Sequence, residues 1–489
     1  MKVKQIKKIV SWLSIVAIAS IVIFGLRQPA TAQLEPKHYT ELEFPPLPEV
    51  ELPEYERYQL DNGMVVYLVE DRDLPLVKGT AIIRTGSRYE PSDKVGLASI
   101  TGTLMRSGGT ESHPAEELNL LLEQKAASVE TGIGTTSGNA SFNTLTEDLD
   151  TVFPLFAEII RQPAFAPAKL NLAISQNKGQ IARRNDDPDS IAEREFDKLV
   201  YGANSPYART VEYQTLNNIT REDVVNFYQQ YIRPDSIILG IVGDFDSEAI
   251  KTKITEAFGD WNPTSELPPL EVPNATQEFS DGLFLVDRPQ LTQSNVLIGH
   301  LGGKFKNPDY PVLSVLNGVL NGFGGRLFDE VRSRQGLAYS IYGYWNPNYD
   351  YDGTFVAGGQ TQSNTTVPFI KSVLGEIEQL RTTPITEAEL SNAKESILNS
   401  FVFNFQTPDA TLSRLMRYEY FGYPEDFIFQ YQDGVKNTTV EDIQRVAKEH
   451  LHPEKMVTLV VGNSQAIEPP LTSLNREIET VDISIPQPS

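Results

Sequence analysis

Asn218-Ile219-Thr220-Arg221-Glu222-Asp223 and Asn437-Thr438-Thr439-Val440-Glu441-Asp442 carry one pattern, Asn-x-Thr-x-Glu-Asp, at two places in the chain. Each copy is followed by a proline (Pro234, Pro453) and a Val-Gly pair (Val242-Gly243, Val461-Gly462), every match offset by 219. Upstream, Leu170, Pro188 and Gly202 match Leu390, Pro408 and Gly422 at an offset of 220. An offset this constant marks a duplication of a unit near 220 residues. In both copies the threonine is placed to cap a helix whose first-turn carboxylates complement the helix dipole. Residues 237–242 and 457–461 then form an apolar strand that closes the unit.

Working outward, 58–60 and 64–69 flank Asn62-Gly63, the favoured turn dipeptide of a hairpin, and a further strand follows from 77 to 84. Hairpins mixed with long amphipathic helices favour an α+β fold over a doubly wound parallel sheet. The expected organisation is a signal peptide at 1–32, a Pro/Glu-rich lead-in at 33–57, a first domain at 58–262, a Pro-rich linker at 263–280, a second domain at 281–470 and a tail at 471–489.

The 489 residues exceed one core, and 40% hydrophobic content is that of globular protein. The net charge is −23, and the first 32 residues contribute five positive charges, so the body is more acidic still. Such a surface repels phosphate and argues against nucleic acid as a partner. Lys2, Lys4, Lys7 and Lys8 precede an apolar run to Leu26, and Ala30-Thr31-Ala32 offers a cleavage site. The expectation is export to a periplasm or lumen, with membrane contact only where this segment stays uncleaved. There is no cysteine, so no disulfide is available in an oxidising compartment.

Gly86-Ser87-Arg88-Tyr89-Glu90, Gly96-Leu97-Ala98 and Gly108-Gly109-Thr110 resemble the opening of M16 metallopeptidases, the pitrilysin, insulinase and mitochondrial-processing-peptidase family. Arg326-Leu327-Phe328-x-x-Val331-Arg332 and Gly336-Leu337-Ala338-Tyr339-Ser340 resemble the C-terminal signature of the same family. The resemblance implies two tandem α/β-sandwich domains of the LuxS/metallopeptidase-like type, together making a clam-like half-chamber.

Active members hold zinc with His-x-x-Glu-His on the Gly-Leu-Ala helix and a later glutamate. Two imidazoles at i and i+4 share one helical face, and the intervening glutamate is the base. Aligned on Gly96-Leu97-Ala98, this chain places Ser99, Gly102 and Thr103 at the three motif positions, and 76 intervening residues later Gln180 at the fourth. Hydroxyls and an amide are poor zinc ligands and glycine offers no base, so no metal is expected in this chain. Arg106, seven residues after Ser99, is expected to disfavour a cation further, while Leu97, Ile100, Leu104 and Met105 form the core face. His450-Leu451-His452 has chelating spacing, but it lacks a clustered third ligand and its repeat counterpart is Tyr231-Ile232-Arg233.

The resemblance gives Arg332 and Tyr339 an assisting role in trans: hydrogen bonds to a scissile carbonyl and its oxyanion. It implies a zinc-bearing partner with intact His-x-x-Glu-His, unfolded peptide substrates, and an edge strand near 129–136 for β-addition. The leading expectation is therefore the zinc-less subunit of a heterodimeric M16-type metallopeptidase, inactive alone. The alternative is a structural, peptide-holding relative without a proteolytic role. A third reading, a self-sufficient peptidase with unconventional ligands, is the weakest.

Overall fold

A computed structural model describes residues 50, 52–263, 268–322 and 324–486. The expected signal segment and most of the lead-in lie outside these residues. Among the described residues, no helix is long and apolar enough to cross a membrane.

The first half contains strands β1 (Glu56–Gln59), β2 (Val65–Glu70), β3 (Leu76–Ile83), β4 (Ser128–Ile133), β5 (Gly138–Leu145) and β6 (Ile237–Gly243). Its helices are α1 (Leu97–Ser107), α2 (Ala115–Gln124), α3 (Leu149–Arg161), α4 (Pro167–Arg183), α5 (Pro188–Tyr201), α6 (Tyr213–Asn217), α7 (Arg221–Tyr231) and α8 (Ser247–Phe258). The second half repeats the plan with β7 (Gly282–Asp287), β8 (Gln293–Leu301), β9 (Ser340–Asn346), β10 (Thr354–Gln362), β11 (Val457–Gly462) and β12 (Ile478–Thr480). Its helices are α9 (Tyr310–Leu320), α10 (Thr366–Thr382), α11 (Glu387–Ser400), α12 (Pro408–Phe421), α13 (Phe427–Asn437) and α14 (Val440–His450). A π-helical segment spans Leu327–Arg334.

The duplication is visible in the sheets. The first runs β1-β2-β6-β3-β5-β4 and the second β12-β7-β11-β8-β10-β9. In both, the strand after the capped helix lies parallel to the opening strand and antiparallel to the next: β6 between β2 and β3, β11 between β7 and β8. The repeated caps form as the pattern requires. The Asp223 N–H donates to Thr220 Oγ1 at 3.2 Å, and the Asp442 N–H donates to Thr439 Oγ1 at 3.2 Å. The Asn62-Gly63 turn joins β1 and β2, with Gly63 at φ 93° in the left-handed region.

The central strands explain how the halves are joined. Every residue of β6 and of β11 is buried, so each sheet is covered on both faces. One face packs on helices of its own half, through Ile100, Leu104, Phe153 and Phe156 in the first and Leu316, Val319, Phe369 and Ile370 in the second. The other face is covered by a helix from the opposite half. Leu412, Met416 and Tyr420 of α12 pack on Tyr67, Val69, Ile238 and Val242 of the first sheet. Ile191, Ala192, Phe196 and Leu199 of α5 pack on Phe284, Val286, Leu297 and Leu459 of the second. The described residues from 50 to 486 accordingly form one compact unit. The stretch after 471 is packed too: β12 pairs parallel with β7, and the Asn185 side chain donates to the Ile483 carbonyl at 2.6 Å.

Candidate functional site

Helix α1 begins with Gly-Leu-Ala and is held at its start by the motif that precedes it. Glu90 accepts the N–H groups of Gly96 and Ala98 at 3.0 and 2.8 Å, satisfying orphan donors of the first turn. Burial raises the Glu90 carboxyl above its usual range, against the pull of those two amides and Arg209. Arg88 points the other way and pairs with Asp350 of the second half at 2.7 Å, its side chain only 4% exposed. The Gly-Ser-Arg-x-Glu segment is thus scaffold: one residue caps α1 and another fastens the two halves together.

On α1 itself, Leu97, Ile100, Leu104 and Met105 are buried, while Ser99 and Thr103 are exposed on one face. Gly102 is buried against β4, and Gln180 is exposed on α4, which packs beside α1. Two hydroxyls, an amide and a missing side chain do not make a zinc ligand set. The space fails as well, since a β-carbon on Gly102 would lie 2.4 Å from the Ile133 backbone nitrogen. Arg106 does not stand over these positions as a free charge; its Nε donates to the Val129 carbonyl of β4 at 3.0 Å.

The histidine pair at 450 and 452 is split by the fold. His450 Nε2 lies 2.8 Å from Asp309 Oδ2, whereas the His452 N–H donates to His300 Nε2 at 3.1 Å. Asp309, Glu449 and His450 do bring ligand atoms within 4.8 Å of one another. Arg445 already supplies the cation there, at 2.7 Å from Asp309 and 2.9 Å from Glu449.

In the second half, Arg332 lies in the last turn of the π-helical segment, where i→i+5 bonding is a frequent mark of functional positions. Its guanidinium sits over the Phe328 ring at 4.9 Å, whereas Arg334 is drawn to Glu330 at 3.0 Å. Gly336, at φ 66°, ends the segment in the left-handed conformation glycine favours. Tyr339 follows with its backbone N–H donating to the Gln360 carbonyl at 2.9 Å and 73% of its surface exposed. Beside it, Ser340, Tyr342 and Gln360 line a groove of about 210 Å³ whose opposite wall is α5, with Asp189 and Glu193. Gln360 Nε2 donates to both Asp189 oxygens at 3.0 Å. The sequence reading passed over Asp189 and Glu193, because nothing local says that α5 crosses to the other half's sheet; their i, i+4 spacing was the available signal.

A duplicated α+β chain, whose two six-stranded sheets exchange covering helices and whose metal-type helix is bare of ligands, defines a class of peptidase-related scaffold. Two family models match it: Insulinase (Peptidase family M16) over residues 68–211 and Peptidase M16 inactive domain over residues 218–397. The chain belongs to the M16 family. It is 25% identical to the uncharacterized zinc protease YmxG of Bacillus subtilis, across 73% of this chain and 86% of that one. It is 22% identical to the non-peptidase homolog YmxG of Helicobacter pylori, across 83% of this chain and 94% of that one. Among solved structures, the peptidase M16 inactive domain of Pseudomonas fluorescens superposes with a TM-score of 0.75 at 22% identity, covering 84% and 98% of the two chains. The periplasmic protease PqqL of Escherichia coli superposes at 0.71 with 15% identity, covering 92% of this chain and 50% of that one. These structural likenesses concern the fold.

Proposed function

We propose that this chain is the metal-free, substrate-assisting subunit of a two-chain M16 peptidase, working in an exported compartment. Peptide hydrolysis is then carried out by a second chain with an intact His-x-x-Glu-His motif. Arg332 and Tyr339 donate hydrogen bonds to the scissile carbonyl and to the oxygen that gains negative charge, each such donor being worth about a hundredfold or more in rate.

The observation that carries this reading is the asymmetry between the halves. The α1 positions offer no ligand set and no room, while Tyr339 stands exposed next to a groove. The acidic pair Asp189 and Glu193 in that groove, with the Tyr342 ring, suits a basic side chain of a passing peptide. The name of the H. pylori relative, a non-peptidase homolog, supports an inactive chain.

The test is reconstitution. The mature chain alone is expected to leave peptides uncut, and adding a zinc-bearing M16 partner should give chelator-sensitive cleavage. In that complex, Arg332→Ala and Tyr339→Phe should each lower kcat by about a hundredfold or more. Unchanged turnover in both variants favours a structural, peptide-holding subunit, and chelator-sensitive cleavage by the isolated chain overturns the proposal.

A further inference from the structure

At residue 102, helix α1 lies against edge strand β4 with no side chain between them. A β-carbon built on Gly102 would stand 2.4 Å from the Ile133 nitrogen and 2.7 Å from the Gly132 carbonyl carbon, both backbone atoms. Two hydrogen bonds tie helix to strand around this contact. Thr131 Oγ1 donates to the Gly102 carbonyl at 2.6 Å, and Arg106 Nε donates to the Val129 carbonyl at 3.0 Å.

The second half builds the corresponding seam with side chains in it. Helix α9 runs beside edge strand β9, and two carboxamides bridge them. Asn317 Nδ2 donates to the Trp345 carbonyl at 3.0 Å while its Oδ1 accepts the Trp345 N–H at 2.7 Å. Asn321 treats Gly343 in the same way, at 2.5 and 2.9 Å. The α9 seam is therefore bridged by carboxamides from Asn317 and the C-cap Asn321, whereas at residue 102 α1 is in backbone contact with its strand.

We infer that residue 102 is a backbone packing contact, so that the position of α1, as well as the loss of ligands, keeps this chain metal-free. A glutamate at 102 must place its β-carbon on the Ile133 amide. Backbone on both sides cannot swing away as the tip of a flexible side chain can. Either α1 or β4 has to move, and the Thr131 and Arg106 bonds go with it. An interior helix glycine is intrinsically unfavourable, and this contact accounts for its presence. The inference goes beyond the assisting role and does not depend on a partner chain.

The isolated full chain tests it. Gly102→Ala is expected to lower Tm by about 1–3 °C, as an added methyl in a closed contact does in a unit of this size. It should also speed hydrogen exchange across residues 128–133. Thr103→Ala, on the exposed face of the same helix, should leave both unchanged. The four-position variant S99H/G102E/T103H/Q180E is expected to retain no zinc after dialysis. Parental Tm and parental exchange in Gly102→Ala overturn the inference, as does one bound zinc per chain in a four-position variant that keeps the parental Tm. Failure of the reconstitution experiment leaves these readouts untouched, so the two readings stand or fall separately.

Discussion

At the scale of single residues, an ion pair between the halves and a raised carboxyl carry testable consequences. Arg88 is buried and paired with Asp350 across the halves, and both retain a polar atom with no hydrogen-bond partner, Arg88 Nε and Asp350 Oδ1. Removing one member strands the other charge, so Arg88→Ala should cost about 3–5 kcal/mol in urea unfolding. Asp350→Ala should cost as much, and the double variant less than the two singles added. Asp197 on α5 is a different case. Burial, and secondarily the Glu193 carboxylate, push its carboxyl up to about 7; Tyr201 and Tyr351 face it as well. A carboxyl raised in the folded state holds a proton that the unfolded chain has released, so its contribution to stability falls as pH rises from the ordinary carboxylate range toward 7. The difference between parent and Asp197→Asn urea midpoints should shift against the parent as pH rises from about 4 to about 7.

At the scale of elements, the two capping boxes and the two edge seams were written in the sequence with unequal clarity. The Thr220–Asp223 and Thr439–Asp442 boxes depend only on residues three apart, and the helices start where the pattern says. Replacing either threonine with alanine should cost about 1 kcal/mol, measured by chemical unfolding, with similar values at the two sites. The segment after Arg326 stops at Gly336, and its winding is π-helical. Leu327 and Val331 of this segment are buried in the second core, and no local residue pattern distinguishes the wider turn from an α-helix. The edge strand expected near 129–136 exists as β4, yet Arg106 already occupies its Val129 carbonyl. Its counterpart β9 is bonded by Asn317 and Asn321, which shields that edge from pairing with other strands. Asn317→Ala with Asn321→Ala should expose it, and self-association should rise in analytical ultracentrifugation.

At the scale of the whole molecule, the exchange of α5 and α12 makes the halves interdependent. Each sheet would present a bare apolar face without the opposite helix, in one case around Ile238 and Val242 and in the other around Val286 and Leu459. Residues 50–262 expressed alone should therefore lack a cooperative thermal transition and aggregate, and co-expression with residues 282–486 should restore solubility. A cooperative melt of the isolated first half would show that α12 is dispensable to it.

The sequence by itself determined the duplication, the caps, the family and the presence of serine, glycine, threonine and glutamine at positions 99, 102, 103 and 180. Each of these rests on residue identity at fixed spacing, which is read along the chain without knowing what meets in space. Only the tertiary structure decided that Gly102 is a contact rather than a gap, that Arg88 fastens the halves, and that Asp189 and Glu193 lie beside Tyr339. Those facts depend on which surfaces meet across some 30 residues for Gly102 and β4 and some 150 to 260 for the other two. The continuous apolar runs of β6 and β11 demanded cover on two faces, but a strand's own residues do not specify which distant helix provides it.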